Sequence, residues 1–184
     1  MRAASALMVA LAIAPSLVQA QVPATSQPAW QPMREAVFDG PWLPSTATED
    51  DRAMAQQIWG AELAARRSNA QGPLPGFVLI GDVNEGSKRI VLSMYSAAGS
   101  EHCNPAPNGF SAEDIFVECR MRVTNWPFTG RHMAKLPAYC MIFAASETNS
   151  RVEYRYETAA QTVHFRTVQF GKVVPLCSRA LKLG

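Results

Sequence analysis

The sequence lacks the short motifs that mark common catalytic and metal-binding sites. It contains neither H-E-x-x-H nor G-x-S-x-G, and none of its three histidines stands at helical ligand spacing from another. The four cysteines are separated by 16, 21 and 37 residues, whereas zinc sites use closely paired ligands. The sequence therefore predicts no catalytic residue, no metal site and no cofactor.

Charged residues are scarce as well. They make up 17% of the 184 residues, whereas hydrophobic residues make up 48%, which excludes a globally disordered chain. This length and composition are typical of one domain with a sizeable core. The formal net charge of +2 gives no reason to expect nucleic acid as a partner.

The charges that are present are distributed unevenly along the chain. Residues 21–118 carry six basic and twelve acidic side chains, a net of −6, whereas residues 119–184 carry ten and three, a net of +7. Such asymmetry can mark a basic surface for an anionic partner. The alternative, that the two halves neutralise each other in the fold, is favoured because the totals nearly cancel.

No apolar run reaches the ~20 residues that a membrane-spanning helix needs. The chain begins with a weakly positive segment at Arg2, continues with an apolar stretch, and reaches an A-x-A-like site at Val18-Gln19-Ala20. We predict that residues 1–20 are a signal peptide. The mature chain then starts near Gln21 without a membrane span, and the protein is periplasmic or secreted.

Export makes the cysteines candidates for disulfide bonds. An even number of cysteines in an oxidising compartment favours two disulfides over a metal site. Three pairings are possible, and the one that we favour joins neighbours in sequence, Cys103 with Cys119 and Cys140 with Cys177. Each bond would stabilise the fold by ~3 to 4 kcal/mol through the entropy of the unfolded chain.

Residues 21–45 contain five prolines, which are too closely spaced for a helix. We predict a proline-rich N-terminal arm, followed by a single α+β domain over residues 46–184. Because the second half of the arm is apolar, it is expected to pack on the domain. Docking to a partner is the alternative.

One segment has the pattern of an amphipathic helix, from Thr48 to Asn69. Thr48 is a good N-cap, and residues 49–51 place acidic side chains in the first turn, where the helix dipole favours them. The spacing predicts an apolar face formed by Met54, Ile58, Ala61 and Ala65. It also predicts a basic last turn, which contains Arg66 and Arg67.

After residue 76 the hydrophobic period changes to two, which is typical of strands. The predicted strands cover residues 77–83, 89–98, 113–126, 139–146, 151–157 and 162–170. Their short connections imply antiparallel pairing. The sequence thus predicts an α+β fold, in which one N-terminal amphipathic helix packs on an antiparallel sheet of about six strands with two disulfides. This order of elements is similar to that of cystatin-like inhibitors.

The loop after the strand 113–126 has the composition of a binding site. Trp126, Phe128, Arg131 and His132 lie within a connection of about twelve residues, and long loops of this kind are often functional. Tryptophan, tyrosine and arginine dominate binding hot spots. The alternative is that Trp126 and Phe128 fold back and close one end of the sheet.

Three functions are compatible with this sequence. The first is a small exported protein that binds, and in doing so inhibits or neutralises, another envelope or secreted protein through the loop. The second is an envelope hydrolase that uses His102, His132 or His164 with an acid such as Glu113 or Glu118. The third is a structural subunit of an envelope or secretion assembly, docked through residues 21–45. The sequence does not determine the oligomeric state.

Overall fold

The structure is a computed structural model that describes residues 28–40, 45–97, 103–105, 116–142 and 149–183. Two strands precede the helix, and they are β1 (Gln31–Pro32) and β2 (Arg34–Phe38). Helix α1 (Glu49–Ala64) follows, and after it come β3 (Ser68–Asn69), β4 (Gly72–Pro73), β5 (Gly76–Glu85), β6 (Lys88–Ala97), β7 (Cys103–Pro105), β8 (Val117–Trp126), β9 (Ala134–Met141), β10 (Arg151–Glu157), β11 (Thr162–Gln169) and β12 (Lys172–Lys182).

The strands form two main antiparallel sheets. The central sheet has the order β2-β5-β6-β8-β7, and β9 also pairs with β8. The outer sheet has the order β1-β10-β11-β12, and β3 and β4 form a separate small pair. Alternate residues of the central sheet face α1 on one side and the outer sheet on the other. The described chain is therefore built of three layers: helix, central sheet and outer sheet.

The coarse prediction of one helix, antiparallel strands and two disulfides is confirmed, but two details of the predicted fold class are wrong. The helix is not the N-terminal element, because residues 31–38 form strands on β10 and β5 before it begins. The strands do not form a single sheet. Those after residue 150 pair with one another and stack on the central sheet, which gives both sheets a shared apolar interior.

Helix α1 begins where the sequence predicts. The Thr48 hydroxyl accepts from the Asp51 amide at 3.1 Å, and the Asp51 carboxylate accepts from the Thr48 amide at 2.9 Å, which is a capping box. The helix ends at Ala64 rather than Asn69, because Ser68 and Asn69 pair with β4. Arg66 and Arg67 consequently lie beyond the last turn. The buried face comprises Asp51, Met54, Ala55, Ile58, Trp59 and Leu63, and the predicted Ala61 and Ala65 are exposed.

Most predicted strands are present with shifted bounds. The hairpin of β5 and β6 turns at Gly86-Ser87, where Gly86 has φ 60°, a value that favours glycine. Strand β12 is not predicted, because Pro175 interrupts it and its polar and apolar residues do not alternate. Residues 113–115 and 143–146 of two predicted strands lie outside the described part of the chain.

Two apolar clusters hold the layers together. Met54, Ile58 and Trp59 of α1 pack on the central sheet, where Val78, Ile80 and Tyr95 are buried. On the opposite face, Leu79, Leu92, Met121, Val163 and Phe165 belong to the cluster between the sheets. The two sheets approach closely at Gly81. A Cβ atom at this position would lie only 2.5 Å from the ring of Tyr154.

Both predicted disulfides are present, with the favoured pairing. Cys103–Cys119 joins β7 to β8, and Cys140–Cys177 joins β9 of the central sheet to β12 of the outer sheet. Next to the second bond, the Tyr139 hydroxyl donates to the Cys177 carbonyl at 2.7 Å. Two disulfides are typical of a protein that folds in an oxidising, extracellular or periplasmic environment.

Candidate functional site

Three of the four residues that the sequence predicts as a binding site lie in the connection between β8 and β9, and the fourth, Trp126, is the last residue of β8. We call residues 125–135, which include the adjoining ends of both strands, the β8–β9 loop. Trp126 and Phe128 are half-buried and pack against the cluster formed by α1 and the central sheet. The Met133 amide donates to the Val123 carbonyl at 2.8 Å and anchors the far end of the loop. The loop is therefore fixed to the body of the protein at both ends.

His132 belongs to the inner side of this loop. Its ring stacks on Phe128 with 5.2 Å between centroids, and its buried Nδ1 atom has no hydrogen-bond partner among the described residues. Burial lowers the pKa of His132 below its usual value of 6.5, and the nearby charges of Arg122 and Lys135 lower it further. The imidazole is accordingly neutral at pH 7 and serves as a flat, mostly apolar packing surface.

Arg131, Met133 and Lys135 form the outer side of the loop, since all three are exposed. Met133 is 41% exposed and is one of four large hydrophobic side chains that the structure describes as exposed. Of the four predicted residues, the structure thus turns Trp126, Phe128 and His132 inward and Arg131 outward. Met133 and Lys135 were not predicted, because the aromatic composition that identifies the loop does not mark them.

Arg122, on β8, binds to helix α1. Its guanidinium lies 3.8 Å from the Trp59 ring centroid, donates to the Ile58 carbonyl at 2.7 Å and forms an ion pair with Glu62. This ion pair joins the acidic and basic halves of the chain. Other ion pairs, such as Arg34–Asp51 and Arg166–Glu153, lie within one half. The structure thus contains both kinds of pairing, between the halves and within them.

A basic cluster lies on the outer sheet, on the face turned away from the core. Trp30 lies beneath two guanidinium groups, Arg166 at 4.2 Å and Arg155 at 4.9 Å from the ring centroid. Glu153, only 4% exposed, accepts from Arg166 Nε at 2.5 Å and from Arg151 Nε at 2.6 Å. Trp30, Arg155 and Arg166 line an open groove of about 450 Å³. The sequence pattern does not predict this cluster, because Trp30 is remote in sequence from the arginines.

A further polar cluster connects α1 to the central sheet. Arg34 bridges the carboxylates of Asp51, at 2.6 Å, and Asp82, at 2.7 Å, and Arg89 pairs with Asp82 and Asp50. Burial alone would raise the pKa of Asp51, but hydrogen bonds from Arg34 and Thr48 outweigh it and lower that pKa below 3.8. Every ionised group here has an opposite charge as its partner, which is typical of a structural network.

The histidines of the hydrolase hypothesis have different surroundings. His164 lies on the outer sheet and contacts Glu157 at 3.1 Å, whereas His132 stacks in the β8–β9 loop. His102 and Glu113 lie outside the described residues. No group of three or more His, Cys, Asp or Glu side chains that could hold a metal ion occurs in the part of the chain that the structure describes.

Comparison with known proteins provides no relative for this fold and these clusters. No protein-family model, no curated protein and no solved structure matches the chain. None of these comparisons supports the expected similarity to cystatin-like inhibitors, which depended on a helix that precedes all the strands. Among the described residues, no helix has both the length and the apolarity needed to cross a membrane. Function must consequently be argued from the surfaces themselves.

Proposed function

We propose that the protein is an exported, disulfide-stabilised binding module that binds another envelope or secreted protein through the β8–β9 loop. The observation that carries this proposal is the division of the loop into an anchored side and an exposed side. Trp126, Phe128 and His132 hold it against the helix layer, and Arg131, Met133 and Lys135 face solvent.

Anchoring favours binding because an ordered loop loses little conformational entropy when a partner docks. A flexible loop of this length would lose part of its binding free energy in becoming ordered. The ring stacking of Phe128 on His132 and the Met133 backbone hydrogen bond order this one in advance. The same rigid arrangement suits an inhibitor or a neutralising protein.

The exposed side also indicates the chemistry of the partner. Met133 supplies an adaptable apolar contact, with a cation on either side of it in sequence at Arg131 and Lys135. A partner that fits this surface has an apolar spot surrounded by carboxylates, since complementary charges speed association and orient it.

Affinity capture with a designed loop variant tests the proposal. The oxidised protein and a variant with Arg131→Glu, Met133→Ser and Lys135→Glu are each used as bait against envelope extract and culture fluid. All three changed residues are exposed, so that the anchors Trp126 and Phe128 and the fold are retained. We expect one defined protein to be retained by the unchanged bait and lost from the variant.

A matched control separates the loop from overall charge. Arg67→Glu with Lys88→Glu makes the same charge change at exposed positions outside the loop, and it should leave capture intact. If the loop variant and the control retain the same proteins, the β8–β9 loop is not the contact surface. Circular dichroism and the free energy of unfolding, measured for each bait, show that the variants are folded.

A further inference from the structure

Strand β12 is the edge of the outer sheet that has the most open surface. It pairs with β11 on one side, and no strand within the described residues pairs with its other side. Eight of its eleven residues are exposed. The unpaired N–H and C=O groups of such an edge are a template for one further strand.

Exposed apolar side chains are concentrated at the start of this edge. Phe170, Val173 and Leu176 are 51%, 43% and 54% exposed, and they are three of the four large hydrophobic side chains that the structure describes as exposed. Phe170 also has φ 50°, a left-handed conformation in which asparagine or glycine is usual. A phenylalanine displayed in this way is better suited to contact a partner than to form the turn.

The charge of β12 indicates what kind of strand it accepts. It contains Lys172, Arg179 and Lys182 and no acidic residue. In the antiparallel register that pairs its full length with a second copy, Lys172 would lie opposite Lys182. Because like charges directly opposite are destabilising, self-pairing is disfavoured and an acidic strand is favoured.

The groove on the outer sheet extends this preference beyond β12. Ser178 and Ala180, which are small, line the groove beside Trp30 and Arg166. A glutamate on an added strand can extend over these short side chains toward the Arg166 guanidinium. Only the Nε atom of Arg166 is used by Glu153 among the described residues.

We propose that the free edge of β12 binds an extended acidic segment of a partner protein by strand addition, with acidic side chains directed into the groove beside Arg166. Backbone hydrogen bonds would supply affinity, and the cations of β12 and the groove would select for carboxylates. This site is separate from the β8–β9 loop, and the proposal does not depend on the loop's function.

The test uses blocked eight-residue peptides of alternating glutamate and valine, titrated against the oxidised protein by calorimetry. We expect binding that weakens as salt is raised, and that is lost when lysine replaces glutamate. Two further peptides carry N-methyl groups on alternate backbone nitrogens, one on the odd-numbered residues and one on the even-numbered residues. The peptide whose methyl groups block the N–H groups that face β12 should no longer bind. Amide hydrogen exchange should show new protection in β12.

The variant Ala180→Glu with Lys182→Glu places two acidic side chains at exposed positions on the edge. It should weaken peptide binding by about tenfold or more, the effect expected when cross-strand attractions become repulsions. The matched control is Ala64→Glu with Lys88→Glu, at exposed positions on α1 and β6, and it should bind as the unchanged protein does.

Three results would overturn the proposal. Equal binding of both N-methylated peptides and the unmodified one would exclude strand addition. Equal binding by the edge variant and its control would exclude recognition of charge. A stable dimer in sedimentation, with β12 amides already protected without peptide, would assign the edge to a second copy. The loop variant of the previous section should bind the peptide normally, which keeps the two proposals distinguishable.

Discussion

The molecule contains the same kind of contact, arginine on tryptophan, in two regions with opposite surroundings. On the helix side, Trp59 is 2% exposed, and Arg122 lies over it while hydrogen-bonding to α1. On the outer sheet, Trp30 is half-buried, and its two arginines line an open groove. An arginine on a tryptophan therefore does not by itself indicate a functional site. Whether the pair is enclosed or open to solvent decides its role.

The surroundings differ for reasons that can be traced to the chain. Trp59 lies in the middle of a 16-residue helix, donates to the Ser93 hydroxyl at 3.0 Å and stacks on Tyr95. Trp30 directly precedes β1, a strand of only two residues. The first indole is enclosed by two layers, whereas the second lies on the outermost layer, where a ligand has access.

Replacing the two tryptophans should give the largest contrast. Trp59→Ala removes a fully buried side chain and should lower the free energy of unfolding by about 3–5 kcal/mol. Trp30→Ala removes a half-buried ring from an open face and should cost about 1 kcal/mol or less. Urea unfolding followed by circular dichroism measures both. Equal losses would mean that the outer tryptophan is as structural as the inner one.

The two disulfides extend the comparison to the way in which the layers are joined. Replacing Cys140 and Cys177 with serine opens a connection that spans 37 residues, whereas Cys103 and Cys119 are 16 residues apart. In the chain-entropy model the losses are about 4 and about 3 kcal/mol, respectively. Removing the Cys140–Cys177 bond should also speed hydrogen exchange in β12, because that bond attaches the outer sheet to β9. Exchange that accelerates in the central sheet alone would contradict this assignment.

A smaller contrast is expected between arginines. Arg122→Met removes the hydrogen bond to the Ile58 carbonyl and leaves Glu62 without this partner, so that it should cost about 1–3 kcal/mol. Arg179 is exposed, and its contact within the described residues is the Ser178 carbonyl; Arg179→Met should change stability by about 0.5 kcal/mol or less. Thermal unfolding at one pH and salt concentration checks both. A larger loss of stability for Arg179→Met than for Arg122→Met would mean that the outer sheet, and not the helix side, has the structural arginine.

The smallest effect concerns His132. Because its pKa in the folded protein lies below 6.5, the unfolded chain takes up a proton first as the pH falls. The free energy of unfolding should therefore decrease between about pH 7 and pH 5, and His132→Phe should make that dependence shallower while it keeps the stack on Phe128. Asp51 acts at lower pH, since its pKa is below 3.8. An unchanged slope in the variant would show that His132 is not the group responsible.

Local patterns predicted the parts of the fold that depend on local chemistry. The Thr48 cap and the Gly86 turn are each determined by neighbouring residues, and each is present. The division into two sheets depends on which strands pair at long range, which periodicity does not encode. The short β1 and the interrupted β12 are held by their partners in the outer sheet rather than by their own patterns.

The candidate site was predicted in part for the same reason. The composition of the β8–β9 loop identified it, but the direction of each side chain follows from contacts with α1, which sequence does not show. The proline-rich N-terminal arm, residues 21–45, is a second example. Residues 31–38 are strands of both main sheets, so that deleting residues 21–45 would disrupt the fold as well as any docking. That deletion cannot test the structural-subunit hypothesis.

Site-specific photo-crosslinking in the native organism is the most direct test of the proposed binding function. A photoreactive residue is placed at Met133 on the exposed side of the β8–β9 loop and, as a control, at the exposed Lys88 in the β5–β6 hairpin. We predict one adduct of defined mass from position 133 and none from position 88. No adduct from position 133, or the same adducts from both positions, would contradict the account.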